Sequence, residues 1–251
     1  MHVGQGQAIR HAPQRRVRSR HSHDESFHPM PTLTPEQQEQ LERAACTPAP
    51  VRIEHFNPRA VIPHGVTTAH ICAAMNEYVD FIRMVNQRML ENGSIRFESI
   101  LMPANFSSIV GEFMSAGIPK QHTGIVKNGY HNGHPDMVPA GRFPDNSVQH
   151  AGEGIEVKGS RYLKGWQGHN PEETWLMVFM FDSNRPVDAF EGIAPKPFRF
   201  LRVAGAQLTT SDWQFAGRSA TSRRTITATV KDSGYRKMMA NWIYNAPNLP
   251  M

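Results

Sequence analysis

The segment GHPDMVPAGRFPDNSVQHAGEGIEVKGS, residues 133–160, carries Pro135-Asp136 and, further along, Glu156-Val157-Lys158 inside a strand-like run. Alternate side chains of a strand share a face. Glu156 and Lys158 therefore point one way, and Ile155 and Val157 point the other. If Pro135 to Pro139 forms the preceding strand, the loop from Ala140 to Gly152 lets the chain return and Asp136 comes beside Glu156. Two carboxylates then converge, with a lysine next to them. A Glu-x-Lys pair alone is a common solvated ion pair of little energetic weight; the upstream Pro-Asp is what turns it into a candidate site.

Convergent Asp and Glu oxygens suit a hard dication such as Mg²⁺, whose shell is completed by waters and phosphate oxygens. Such a metal neutralises charge on a phosphate under attack and lowers the pKa of a bound water. Lys158 beside it can orient that water or stabilise the developing charge. The residue types fit phosphodiester hydrolysis.

Pro135-Asp136 followed by Glu156-Val157-Lys158 resembles the signature of the PD-(D/E)xK nuclease superfamily, the core of many type II restriction endonucleases and several DNA-repair nucleases. The resemblance implies an α/β fold with a central mixed β-sheet flanked by helices, Mg²⁺ dependence, and cleavage of double-stranded DNA by metal-activated water. It implies Asp136 and Glu156 as metal ligands and Lys158 as the residue that positions or activates water. In that family an early helix often adds an acid to the metal site; Glu112 is the candidate here and Glu98 the weaker one. A second Pro-Asp, Pro144-Asp145, also has an admissible spacing. Met137 and Val138 suit a buried strand after Asp136, whereas Asp145 lies in a turn-like Pro-Asp-Asn-Ser, so Asp145 stands as the alternative ligand.

The chain has 251 residues, a formal charge of +5 and a pI near 9.4. That length can bury one sizeable core, and the basic balance favours an anionic partner, most commonly nucleic acid. Cys46 and Cys72 make neither a disulfide framework nor a zinc quartet, which points to a reducing cytoplasm. No apolar run approaches the roughly 18 to 20 residues that span a bilayer, and the amino terminus lacks a secretory apolar core. No membrane partner is expected.

Residues 1–33 hold Arg10, Arg15, Arg16, Arg18, Arg20 and five histidines with almost no aliphatic periodicity, and are expected to be a disordered basic arm. The domain is expected over residues 34–251. Thr34 and Pro35 start a helix that runs to about Ala45. A short strand is expected at Val51 to Ile53. Ile71, Met75, Tyr78, Val79, Ile82, Val85 and Met89 recur at helical spacing between Thr67 and Glu91. Asn105 is read as the cap of a helix ending at Gly117-Ile118-Pro119. Gly124 to Lys127 reads as a strand, and Thr174 to Phe181, almost wholly apolar, as a central one. Phe198 to Val203 follows, and a last helix is expected over Ser233 to Ile243. His131-Asn132-Gly133-His134 offers an HNH-type alternative, but paired cysteines and the flanking pattern are missing; both histidines are then expected on the rim of the site.

DNA contacts are expected from the loop holding Arg161, Lys164, Trp166 and Gln167, a mixture of donors and one aromatic, and from the cluster Arg218, Ser219, Arg223 and Arg224. Together these readings describe a Mg²⁺-dependent, sequence-specific double-stranded DNA endonuclease acting as a homodimer on a palindromic site; a companion DNA methyltransferase would favour this restriction-type reading. A repair or structure-specific nuclease of the same superfamily, or a DNA-binding protein that does not cut, is the alternative.

Overall fold

A computed structural model describes residues 34–168, 171–216 and 227–249. The arm expected over residues 1–33 and the Arg218, Ser219, Arg223 and Arg224 cluster lie outside the described residues.

Helix α1 (Pro35–Ala45) begins where the sequence places it, with a capping box: the Thr34 hydroxyl accepts the Gln37 N–H at 3.2 Å and the Gln37 side chain accepts the Thr34 N–H at 2.9 Å. The strand expected at Val51 to Ile53 does not form; Ile53–His55 is a 3₁₀ turn. The Asn76 side chain takes the place of a strand partner, accepting the Val51 N–H and donating to the Val51 carbonyl, both at 2.9 Å. Helix α2 (Thr68–Glu91) is capped by Thr67 and buries Ile71, Met75, Tyr78, Val79 and Ile82. After the short α3 (Phe97–Ile100), helix α4 (Pro103–Gln121) starts three residues earlier than an Asn105 cap would place it. Proline fits the first helical position, where its missing N–H has no partner to lose. Pro119 lies inside the last turn, where it leaves the Ser115 carbonyl without its helical N–H partner, and the helix stops two residues later.

The chain then forms β1 (Ile125–Lys127), β2 (Met137–Pro139), β3 (Ile155–Ser160), β4 (Gln167–Gly168), β5 (Thr174–Asp182), β6 (Arg199–Leu208), β7 (Trp213–Ala216), β8 (Thr227–Val230), helix α5 (Asp232–Ala240) and β9 (Trp242–Asn245). The expected last helix therefore ends early, and Trp242 and Ile243 belong to a strand. Asn241 fixes the change: its side chain donates to the carbonyls of Val61 and Gly205, at 2.8 and 2.7 Å, and accepts the Val61 N–H at 2.8 Å.

The fold is mixed α/β. Six strands form a sheet in the order β1-β2-β3-β5-β6-β9, antiparallel throughout except for the parallel pair β3 and β5. A second sheet has the order β4-β8-β7. β5 is buried along almost its whole length and divides two cores. Trp175, Met177, Phe179 and Phe181 join Ile155 and Val157 against α2 and α4, whereas Leu176, Val178 and Met180 pack with Trp166, Trp213, Val230 and Met238. Phe106, Val110, Met114 and Ile118, four residues apart on α4, are fully buried. Each such side chain contributes about 1.5 to 3 kcal/mol.

Helix α4 approaches β3 backbone to backbone. A Cβ at Gly159 would lie 2.3 Å from the Ser107 carbonyl and 2.9 Å from the Val110 side chain. The glycine after Lys158 thus sets the height of β3 under the helix.

Candidate metal and phosphate site

The antiparallel register of β2 and β3 pairs Met137 with Ile155, which carries Asp136 to the position opposite Glu156. The pleat turns Ile155 and Val157 into the helical core and leaves Glu156 and Lys158 half-buried on the other face, alongside Leu176 and Val178. Asp136 Oδ2 accepts the Val157 N–H at 2.8 Å, so β3 itself holds that carboxylate. Lys158 Nζ lies 2.8 Å from Glu156 Oε1, with side-chain exposures of 22% and 14%. His134 completes the group, its Nδ1 lying 3.0 Å from Glu156 Oε2 and 3.2 Å from Glu172 Oε2.

These contacts set opposite proton affinities on the two central acids. Burial, reinforced by the charge of Glu156, raises Asp136 to about 7 against the pull of the Val157 N–H and Lys158. Burial would raise Glu156 too, but the hydrogen bond from His134 and the charge of Lys158 outweigh it and hold Glu156 at about 2. Burial alone would lower Lys158; the carboxylate of Glu156 overcomes it and raises the ammonium above its ordinary value. Lys158 is therefore a permanent cation near neutrality. His134 is likewise raised, with Glu156 outweighing burial. The site thus sets two mutually repelling acids beside one fixed positive charge.

No family model, curated protein or solved structure matches this chain.

The other residues singled out in the sequence fall in different places. Glu112 projects from α4 and is ion-paired with Lys127 at 2.7 Å; its charge contributes to raising Asp136, but it is not hydrogen-bonded to the central group. Glu98 is fully buried away from it, between Arg96 at 2.5 Å and Asn86 at 2.9 Å. Asp145 sits in an exposed 3₁₀ turn with φ of 50°, whereas Asp136 lies against β3.

Two of the residues expected to touch DNA face inward. Arg161 donates to the carbonyls of Ser183 and Asn184, at 2.7 and 3.1 Å, and its guanidinium lies over the rings of Phe106 and Phe181. A guanidinium held on four sides in this way is a brace for the β3–β5 crossover. Trp166 is buried in the second core, its Nε1 donating to the Tyr162 carbonyl at 2.9 Å. Its indole fills the space between the two sheets instead of standing in solvent. Lys164 and Gln167 of the same loop are exposed.

Three residues of the site were not legible as such in the sequence. His134, expected on the rim, lies within it because the residue before Pro135-Asp136 faces Glu156 and Glu172. Glu172 comes from the loop before β5, and His150 from the loop before β3, where it forms an isolated parallel bridge with His134. The only local signal was the position of His134 next to the Pro-Asp dipeptide.

Proposed function

We propose that the protein is a Mg²⁺-dependent DNA endonuclease of the PD-(D/E)xK type that hydrolyses phosphodiester bonds. The observation that carries this reading is the meeting of Asp136 and Glu156 across the β2–β3 register with Lys158 at 2.8 Å from Glu156. The donor set fits Mg²⁺: both ligands are hard carboxylate oxygens, and a dication between them would offset the burial and the repulsion from Glu156 that raise Asp136.

Asp136 and Glu156 would hold the metal, which supplies charge neutralisation at the phosphate and an acidified water. The Val157 N–H keeps the Asp136 carboxylate turned toward its partner. Lys158, its proton affinity raised by Glu156 in the metal-free protein, would stabilise negative charge on the phosphate or position the attacking water. The net charge of +5 draws the polyanion in, and exposed Lys164 and Gln167 extend the contact along the crossover loop. Recognition of a palindromic site would be the work of a homodimer.

The test is incubation of the full chain with unmethylated plasmid and phage DNA, with and without Mg²⁺, beside Asp136→Ala and Glu156→Ala. Discrete Mg²⁺-dependent fragments, absent with both variants, are expected. Products without fixed ends would point instead to a repair or structure-specific enzyme. Binding without cleavage under any divalent cation would overturn the nuclease reading in favour of a DNA-binding protein.

A further inference from the structure

We propose a second, chemically distinct metal site formed by His134, His150 and Glu172, which takes a borderline dication of the Zn²⁺ class. One ligand atom from each of the three residues lies within 4.8 Å of the others. Two imidazole nitrogens and one carboxylate oxygen make a poor set for Mg²⁺, which favours oxygen alone, and a good one for Zn²⁺ and its neighbours in the first transition row.

The backbone prepares this arrangement. The His134 N–H donates to the Gln149 carbonyl at 3.0 Å and the Ala151 N–H donates to the His134 carbonyl at 2.9 Å, clipping the two histidine segments side by side. Their rings stack with centroids 5.2 Å apart. The third segment is tied down by the indole of Trp213, whose Nε1 donates to the Glu172 carbonyl at 2.9 Å. Three segments far apart in the chain thus present their donors from fixed positions.

His134 supplies an independent observation. Its Nδ1 faces the carboxylates of Glu156 and Glu172, while its Nε2 is buried and has no hydrogen-bond partner among the described residues. A metal-bound histidine characteristically gives its other ring N–H to a carboxylate, which fixes the tautomer and leaves a lone pair for the ion. Glu156, at 3.0 Å from Nδ1, would be that acceptor; Glu172, 3.2 Å from the same Nδ1 in the metal-free protein, turns its carboxylate toward Nε2 when the ion binds. His150 is exposed, so the ion has a route in and three protein ligands leave a coordination position open. The proposal does not depend on the nuclease reading. Glu156, through its contact with His134, would nonetheless join the two sites.

The experiment uses the full chain stripped with chelator, titrated with Zn²⁺ by calorimetry and with Co²⁺ as a visible-absorption probe. The five histidines among residues 1–33 can also take up zinc. Comparison of variants with the wild type therefore decides the outcome. Wild type is expected to bind one more equivalent than His150→Ala, with the intense visible bands of low-coordinate Co²⁺. Glu172→Gln should weaken that equivalent at least ~10-fold, and Asp136→Asn should retain it. Thermal unfolding of the metal-free proteins checks that each variant folds; His150 is exposed, so its variant tests the site even if Glu172→Gln does not fold. Equal stoichiometry and equal spectra in wild type and His150→Ala would overturn the proposal. So would loss of the Co²⁺ signal in folded Asp136→Asn, because the ion would then belong to the Asp136–Glu156 pair.

Discussion

Asp136→Asn should make the metal-free protein more stable at pH 8 while removing its function. Asp136 is raised from 3.8 to about 7 by burial and by Glu156. An acid whose value rises on folding binds more protons in the folded state. Its contribution is intact below about pH 4, declines as pH rises, and is lost above about pH 7. The full cost of ionising it in the folded site corresponds to about 4 kcal/mol. Because the proton is shared with Glu156 as a pair, the gain expected from asparagine at pH 8 is about 2 to 4 kcal/mol. Asparagine keeps an oxygen to accept the Val157 N–H, which Asp136 receives at 2.8 Å, and brings no charge. Urea unfolding in chelator should show the gain at pH 8 and almost none near pH 4. Added Mg²⁺ should stabilise wild type and not the variant, since an ion that binds only the folded state shifts the equilibrium toward it. A variant no more stable than wild type at pH 8 in chelator would refute the reasoning, because burial and the charge of Glu156 would then not penalise the Asp136 carboxylate.

Gly159→Ala should destabilise the fold by about 1 to 3 kcal/mol, since the new methyl meets the Ser107 carbonyl at 2.3 Å, and an unchanged urea midpoint would show that α4 does not rest on β3. Arg96→Met should cost about 3 to 5 kcal/mol by leaving Glu98 buried without its cation; adding Glu98→Gln should recover much of that loss in the same assay. Burial would raise Asp212, but Lys237 at 2.6 Å and the Thr209 N–H outweigh it and hold the carboxyl at about 2. This lowered value adds stability above the usual carboxylate range that is lost as pH falls from about 4 toward 2, about 2 kcal/mol in all. Asp212→Asn should therefore flatten the acid limb of a stability profile recorded between about pH 6 and pH 2.5.

The strands and long helices could be read because their signals are local. Alternation fixed which face of β3 carries Glu156 and Lys158, and the almost wholly apolar run from Thr174 to Phe181 marked a strand covered on both sides. Where the sequence misled, a distant partner decided. Asn76 satisfies Val51 in place of a strand partner, and Asn241, held by Val61 and Gly205, ends α5 so that Trp242 and Tyr244 can pair with β6. Trp166 and Arg161 looked like surface ligands because a glycine-rich loop is usually exposed; the second sheet and the Phe106–Phe181 stack, both assembled from remote segments, draw them inside. In the site, Asp136 directly precedes β2 and Glu156 and Lys158 lie on β3, so their convergence could be read from strand alternation and pairing. His150 and Glu172 reach it through loops whose path no periodicity encodes.

The most direct measurement is single-turnover phosphodiester cleavage in Mg²⁺ by Glu156→Gln, Lys158→Met and the double variant, each first shown to fold. If Asp136, Glu156 and Lys158 form one catalytic unit, either single change should remove about as much activity as both together, because groups acting as a unit are far from additive. Losses that simply multiply in the double variant, or a single variant that cleaves as wild type does, would contradict the assignment of this centre.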